Sequence, residues 1–129
     1  MILLDTNIVI DFWHGRNTRI SDIVKTHDVC VCGIVLAELM NGAKNEQELA
    51  EVHRLLSAMP QVGVPESAWT EMGRNLYALR KVGLKFPFQD VLLATLAIVH
   101  DLEIWTNDSH FALMQQTLKS LRLFEPSKE

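Results

Sequence analysis

The stretch MILLDTNIVIDFW, residues 1–13, opens the chain and carries its first strand, its first helix and an acid between them. Residues 1–4, with the apolar run 2–4, predict a short strand, and residues 7–13 predict a short helix after it. Asp5 therefore lies where a strand ends and a helix is about to begin. Because an ionised carboxylate beside apolar neighbours needs a charged or hydrogen-bonding partner, we expect Asp5 to have one.

The rest of the chain repeats this alternation of short apolar strands and helices. Further strands are predicted at residues 28–32, 61–64, 103–106 and 121–124. Further helices are predicted at residues 20–26, 34–43, 45–59 and 66–82, at 90–100, where little polar character is left on any side, and finally up to residue 118. In the helix at 66–82, the predicted apolar stripe consists of Trp69, Met72, Leu76 and Leu79. Alternating strands and helices imply a parallel sheet that is covered by helices on both faces.

Composition indicates an ordinary globular protein, because 48% of the 129 residues are hydrophobic and 22% are charged. We interpret residues 1–129 as one domain. The formal net charge of -4 argues against a broad basic surface for nucleic acid. It does not exclude a nuclease, since acids that bind cations contribute to that charge.

Two further features concern the cellular compartment. No apolar stretch approaches the ~18 to 20 residues that a membrane span needs, and no basic segment precedes the first apolar run, so we expect a cytoplasmic protein without membrane contact. Cys30 and Cys32 share one face of a predicted strand and are interpreted as small buried side chains. Such thiols are compatible with a reducing cytosol.

Four of the sixteen acids do not lie in polar surroundings. Asp5 and Asp108 follow predicted strands, Glu38 interrupts an apolar helix, and Asp90 opens the most apolar helix. Because strand ends and the starts of the following helices meet at one edge of a parallel sheet, we expect these four acids to converge. Their mutual repulsion would be relieved by a divalent cation with oxygen ligands, Mg²⁺ or Mn²⁺.

Each acid also has a structural explanation, and these alternatives stay open at this point. Asp5 and Asn7 would close a turn through side-chain hydrogen bonds. Glu38 would face solvent from its helix. Asp90 and Asp108 would each cap the helix that follows.

At these residues the sequence resembles the PIN-domain nucleases, and most closely the VapC-type toxins of bacterial and archaeal toxin-antitoxin pairs. The four matching segments run in family order: LLDTNIVID at 3–11, AELMNGA at 37–43, QDVLLATLA at 89–97 and IWTNDSHF at 104–111. The resemblance implies an α/β fold, a PIN-like three-layer α/β/α sandwich with a short, mostly parallel central sheet.

The resemblance also implies roles for individual residues. Asp5, Glu38 and Asp90 would hold Mg²⁺ or Mn²⁺, and Asp108 would bind a second ion or orient a coordinated water. The neighbouring polar side chains would fix the carboxylates in place; they are Thr6, Asn7 and Thr106.

Two positions depart from the family pattern. Val35 stands where many relatives have a small hydroxyl residue. His110 stands where relatives often have an acid, and it is interpreted either as a metal ligand or as a histidine packed on the rim of the site.

Substrate and partners also follow from the resemblance, which favours endonucleolytic cleavage of RNA, a homodimer and a cognate VapB-type antitoxin whose tail crosses the acidic site. Basic residues near the third motif would contact the RNA backbone, although such side chains also serve only as solvated charges; they are Arg74, Arg80, Lys81 and Lys85. Trp13 and Trp105 are candidates for base stacking, or else core residues.

Two rival functions remain. One is a PIN-like scaffold that binds RNA or a protein partner without catalysis, which the retained acids argue against. The other is a receiver-type or phosphatase-type domain with Asp5 as nucleophile. That chemistry needs a second aspartate close behind the first and a lysine at a later strand end, and neither is in place.

Overall fold

The computed structural model describes residues 1–126, and the chain divides into two compact units, Met1–Gly63 and Val64–Glu129. We refer to them as unit 1 and unit 2. The interpretation of the whole chain as one domain stays a prediction.

Unit 1 is a three-stranded parallel sheet with helices between its strands. Its elements are β1 (Ile2–Leu4), α1 (Thr6–Trp13), α2 (Thr18–Thr26), β2 (Val29–Cys32), α3 (Gly33–Asn41), α4 (Glu46–Ser57) and β3 (Gln61–Val62). Strand β2 lies in the middle, with Leu3 of β1 opposite Cys30 and Val62 of β3 opposite Cys32. All residues of β1 and β2 are buried, as parallel strands covered on both faces require. The prediction that both cysteines are buried is therefore confirmed.

Two asparagines determine where helices of unit 1 begin. The Oδ1 atom of Asn17 accepts a hydrogen bond of 2.9 Å from the backbone N–H of Arg19 and caps α2. Asn45 caps α4 in the same way, with the N–H of Glu48 as donor at 2.9 Å. Such side chains satisfy backbone donors that lack a partner inside the helix. The helix predicted at 45–59 accordingly begins one residue later than its apolar pattern suggested.

Unit 2 carries the longest helix among the described residues and a two-stranded parallel pair. Its elements are α5 (Glu66–Lys81), α6 (Phe88–Val99), β4 (Glu103–Trp105), α7 (His110–Thr117) and β5 (Arg122–Leu123). Helices α5 and α6 pack together, and one polar link joins them: Asn75 Nδ2 donates to Thr95 Oγ1 at 3.0 Å, while that hydroxyl donates to the carbonyl of Val91 at 2.7 Å. The prediction that α6 is buried on most of its circumference is confirmed.

The predicted apolar stripe of α5 is wrong at one position. Met72 and Leu79 are buried, but Trp69 is 56% exposed. Ala68 is fully buried instead. Successive helix residues are rotated by about 100°, so Ala68 and Trp69 point in different directions. The buried face of α5 includes Ala68 and Met72, and Trp69 lies outside it.

The predicted α/β class is confirmed, since the described residues form seven helices and five strands whose pairings within each unit are parallel. Among residues 1–126, none of the helices combines the length and the apolar character that crossing a bilayer requires.

Candidate active site

Asp5 ends β1 and caps α1. Its Oδ1 accepts a hydrogen bond of 2.7 Å from the backbone N–H of Thr6, and its Oδ2 accepts one of 3.3 Å from Asn7 Nδ2. The turn that the sequence offered as an alternative is therefore present. Asp5 is only 9% exposed, yet a carboxylate has about four acceptor positions. These two hydrogen bonds hold the orientation of the carboxylate.

Glu38 lies on α3 and is exposed, as the alternative of a solvent-facing glutamate required. Glu38 and Asp5 both influence one thiol, that of Cys32, the residue that precedes α3. Burial is the main cause that raises the pKa of the Cys32 thiol, and the negative charges of Asp5 and Glu38 raise it further. Both carboxylates of unit 1 thus act on the same point, the junction of β2 and α3.

Unit 2 brings three predicted site residues into direct contact. His110 Nδ1 lies 3.0 Å from Asp90 Oδ2 and 3.4 Å from Asp108 Oδ1. One ligand atom from each of the three side chains lies within 4.8 Å of the other two. The hydrogen bond with Asp90 is the largest cause that raises the pKa of His110, and the charge of Asp108 acts in the same direction. We call Asp90, Asp108 and His110 the acidic cluster.

Helix starts explain how the two acids of this cluster are held. Helix α6 begins at Phe88 after Pro87, and no side chain caps it. Asp90 is the third residue of α6, so the prediction of Asp90 as an N-cap is wrong. Its carboxylate is instead available to His110.

Asp108 does serve the start of its helix, because its Oδ1 accepts a hydrogen bond of 2.9 Å from the backbone N–H of His110, the first residue of α7. Thr106 Oγ1 in turn accepts one of 2.9 Å from the N–H of Asp108. The loop between β4 and α7 is therefore held by side-chain acceptors, and the carboxylate of Asp108 still faces the histidine ring.

The donor set of the acidic cluster fits a divalent ion. Two carboxylates suit Mg²⁺ and Mn²⁺, and an imidazole nitrogen is a ligand for several transition metals. His110 also packs edge-on against Phe86, with ring centroids 5.4 Å apart. His110 therefore contacts both acids and one aromatic side chain, so neither of its two interpretations, metal ligand or packed histidine, is excluded.

The four basic candidates differ in their contacts. Arg74 pairs with Glu71 at 3.7 Å on the exposed face of α5. Arg80 and Lys81 lie 5.6 and 6.0 Å from the centre of the Tyr77 ring. Arg80 also lines a cavity together with Lys85.

That cavity is the feature that sequence reasoning missed. The segment YALRKVGLKFPF, residues 77–88, interleaves aromatic and basic residues, and this pattern was a usable signal for nucleic-acid binding. Trp105, by contrast, is buried against Phe124 at 5.2 Å between ring centroids, so of its two interpretations the core residue is confirmed.

Comparisons with known proteins bear on the whole chain. The chain is similar to three solved structures. VapBC2 from Rickettsia felis, bound to a DNA fragment from its promoter, is 25% identical, with a TM-score of 0.81 and coverage of 96% of this chain and 98% of that chain. DNA-bound VapBC from Salmonella typhimurium is 23% identical, with a TM-score of 0.83 and coverage of 95% and 96%. VapBC-1 from nontypeable Haemophilus influenzae is 23% identical, with a TM-score of 0.80 and coverage of 97% and 98%.

A search of curated proteins finds no significant match to this sequence. The model of the PIN domain matches residues 2–115, a range that includes all four acids and extends over most of each unit. The chain therefore belongs to the PIN-domain family.

Proposed function

We propose that this protein is a metal-dependent endoribonuclease and the toxin of a toxin-antitoxin pair. The observation that carries this proposal is the acidic cluster of unit 2 in a chain of the PIN-domain family. In that cluster two carboxylates and one histidine nitrogen have gathered within 4.8 Å.

The toxin assignment is supported by the structures to which the chain is similar. Several of them are VapBC complexes, and one such complex, from Mycobacterium tuberculosis, is described as a member of a toxin-antitoxin family. We accordingly propose a VapB-type antitoxin as partner, a homodimer as the assembly and the cytoplasm as the place of action.

The proposed metal ligands are Asp5, Glu38, Asp90 and Asp108, and the metal is Mg²⁺ or Mn²⁺. When bound, such an ion neutralises the phosphate and lowers the pKa of a water molecule. The protein's own contribution is orientation: Thr6 and Asn7 hold the carboxylate of Asp5, and Thr106 holds the backbone of Asp108. Groups that fix ligands in this way are typically needed for full activity.

The proposed substrate is RNA, whose backbone phosphates would be bound by exposed cations. Arg80 and Lys85 are the best placed, because both face the same cavity. The remaining two candidates, Arg74 and Lys81, would contribute to the general attraction of a polyanion.

Cleavage of a mixed RNA pool by the wild type and by Asp5→Asn tests this function. With Mg²⁺ or Mn²⁺ we expect the wild type to produce fragments with 5′-phosphate ends, and a chelator to stop it. We expect Asp5→Asn to be slower by about two to three orders of magnitude, because a metal-centred stabilisation of several kcal/mol is lost. Asn keeps an acceptor for the N–H of Thr6, so the helix start is preserved.

Asp22→Asn, an exposed acid on α2, is the matched control and should cleave at the wild-type rate. Equal activity of Asp5→Asn and the wild type would refute the nuclease proposal. RNA binding without any cleavage by the wild type would favour the scaffold function instead.

A further inference from the structure

The cavity of unit 2 is a mostly apolar depression next to α5 and α6. Its volume is about 530 Å³, and its apolar wall includes Leu76, Leu79, Leu84 and Val91. This volume lies in the range typical of sites for small ligands. A cavity of this size can accept a flat ring system.

Aromatic side chains stand around this apolar wall. Tyr77 and Phe88 line the cavity and are 55% and 64% exposed, while Phe86 is partly buried. Exposed aromatic faces grouped at one cavity are a common feature of binding sites. They offer stacking surfaces to any base, whatever its sequence.

Positive charge accompanies the aromatic rings. Arg80 and Lys85 line the cavity, and the guanidinium of Arg80 lies 5.6 Å from the centre of the Tyr77 ring. None of the described residues that line this cavity is an acid. The occupant that matches apolar walls, aromatic faces and cations together is an unpaired nucleobase with its flanking phosphates.

One residue connects the cavity to the acidic cluster. Phe86 lines the cavity and also packs against the ring of His110, whose Nδ1 lies 3.0 Å from Asp90. A nucleotide in the cavity would therefore lie beside the carboxylates that we propose as metal ligands.

We propose that the cavity is a subsite for one nucleobase of single-stranded RNA, adjacent to the phosphate that is cleaved. Tyr77 and Phe88 stack on the base, and Arg80 and Lys85 bind the phosphates on either side of it. This inference rests on the proposed nuclease function and adds to it the way in which the substrate is held.

The test compares binding of two probes in the presence of a chelator, so that neither probe is cleaved. One is a short single-stranded RNA, and the other is a strand of equal length without bases. By fluorescence anisotropy, we expect the wild type to bind the RNA about tenfold more tightly than the strand without bases. Tyr77→Ala and Phe88→Ala should each lose most of this preference, and both side chains are exposed enough for the fold to tolerate the change.

Trp69→Ala is the matched control, because Trp69 is an equally exposed aromatic residue on α5 that does not line the cavity. It should keep the preference for bases. Arg80→Gln and Lys85→Gln should weaken binding of both probes alike and reduce its dependence on salt. Lys119→Gln, at an exposed position that does not line the cavity, should bind as the wild type does.

Three results would overturn the subsite. In the first, Tyr77→Ala and Phe88→Ala keep the full preference for bases. In the second, both variants lose the preference but also change the molar mass in solution, which would make this face an interface between copies of the chain. In the third, an acidic aromatic peptide binds the cavity and the RNA shows no base preference. If the wild type still cleaves RNA with Mg²⁺ in these cases, the nuclease function stands and only the subsite fails.

Discussion

The acids of unit 1 and those of unit 2 are held by different means. In unit 1, Asp5 is buried and is oriented by the backbone N–H of Thr6 and the side chain of Asn7. In unit 2, Asp90 and Asp108 are partly exposed and share the side chain of His110. The first arrangement is part of how a helix begins. In the second, Asp90 takes part in a contact between side chains, while Asp108 also accepts a hydrogen bond at the start of α7.

This difference separates stability from ligand binding. A change at Asp5 removes a hydrogen bond that the helix start needs, so it should alter the free energy of unfolding. Removal of the Asp90 carboxylate takes away a contact near the surface, which contributes little to stability. We therefore expect Asp5→Ala to lower the free energy of unfolding and Asp90→Ala to leave it nearly unchanged.

The largest difference in the free energy of unfolding is expected between Asp5→Ala and Asp5→Asn. Loss of the cap should make Asp5→Ala less stable than Asp5→Asn by about 1 kcal/mol. Asp90→Ala should stay within about 0.5 kcal/mol of the wild type, because Asp90 is not a cap. Urea denaturation of the three variants measures this, and equal stability of both Asp5 variants would contradict it.

An effect on RNA cleavage rather than on stability is expected from Thr106→Val. The valine keeps the shape but removes the acceptor for the N–H of Asp108, so the loop that carries this carboxylate is held less firmly. We expect RNA cleavage to fall about tenfold, with little change in stability. Thr70→Val, at an exposed position of α5, serves as control. Unchanged cleavage by Thr106→Val would show that this hydrogen bond does not position Asp108.

The smallest effect is expected from His110→Ala. If the histidine only occupies the acids in the absence of metal, its removal should make Mg²⁺ bind about threefold more tightly, since a weak competing ion pair is lost. Calorimetric titration measures this, with His53→Ala on the exposed face of α4 as control. Weaker binding of Mg²⁺ would instead identify His110 as a ligand.

Much of the fold could be predicted from local patterns. Local patterns located every strand of the described residues to within two residues. The signal is clearest for β1 and β2, which are fully buried and continuously apolar. The apolar pattern of α5 was wrong at Trp69, because helical spacing alone does not show which of two adjacent apolar residues is buried. Ala68, which is small and easily overlooked, holds the buried position.

The site was predictable in its residue types but not in its contacts. Strand ends and helix starts indicated the acids, and His110 was considered as a ligand beside them. The sequence did not indicate that the ring of His110 contacts Asp90 directly. The cavity near Tyr77 was missed because its aromatic residues belong to three different segments: α5, the loop after it and the start of α6. Only the packing of α5 against α6 brings them to one place.

The burial of the native thiols has a practical consequence for labelling. Cys30 and Cys32 are both buried, and burial raises the pKa of Cys30 to about 11. Because the reactive form of a thiol is the thiolate, neither residue should compete for maleimide near neutral pH. In a Trp69→Cys variant, the introduced cysteine would then be the position that carries the fluorophore. That fluorophore would report RNA binding from the exposed side of α5.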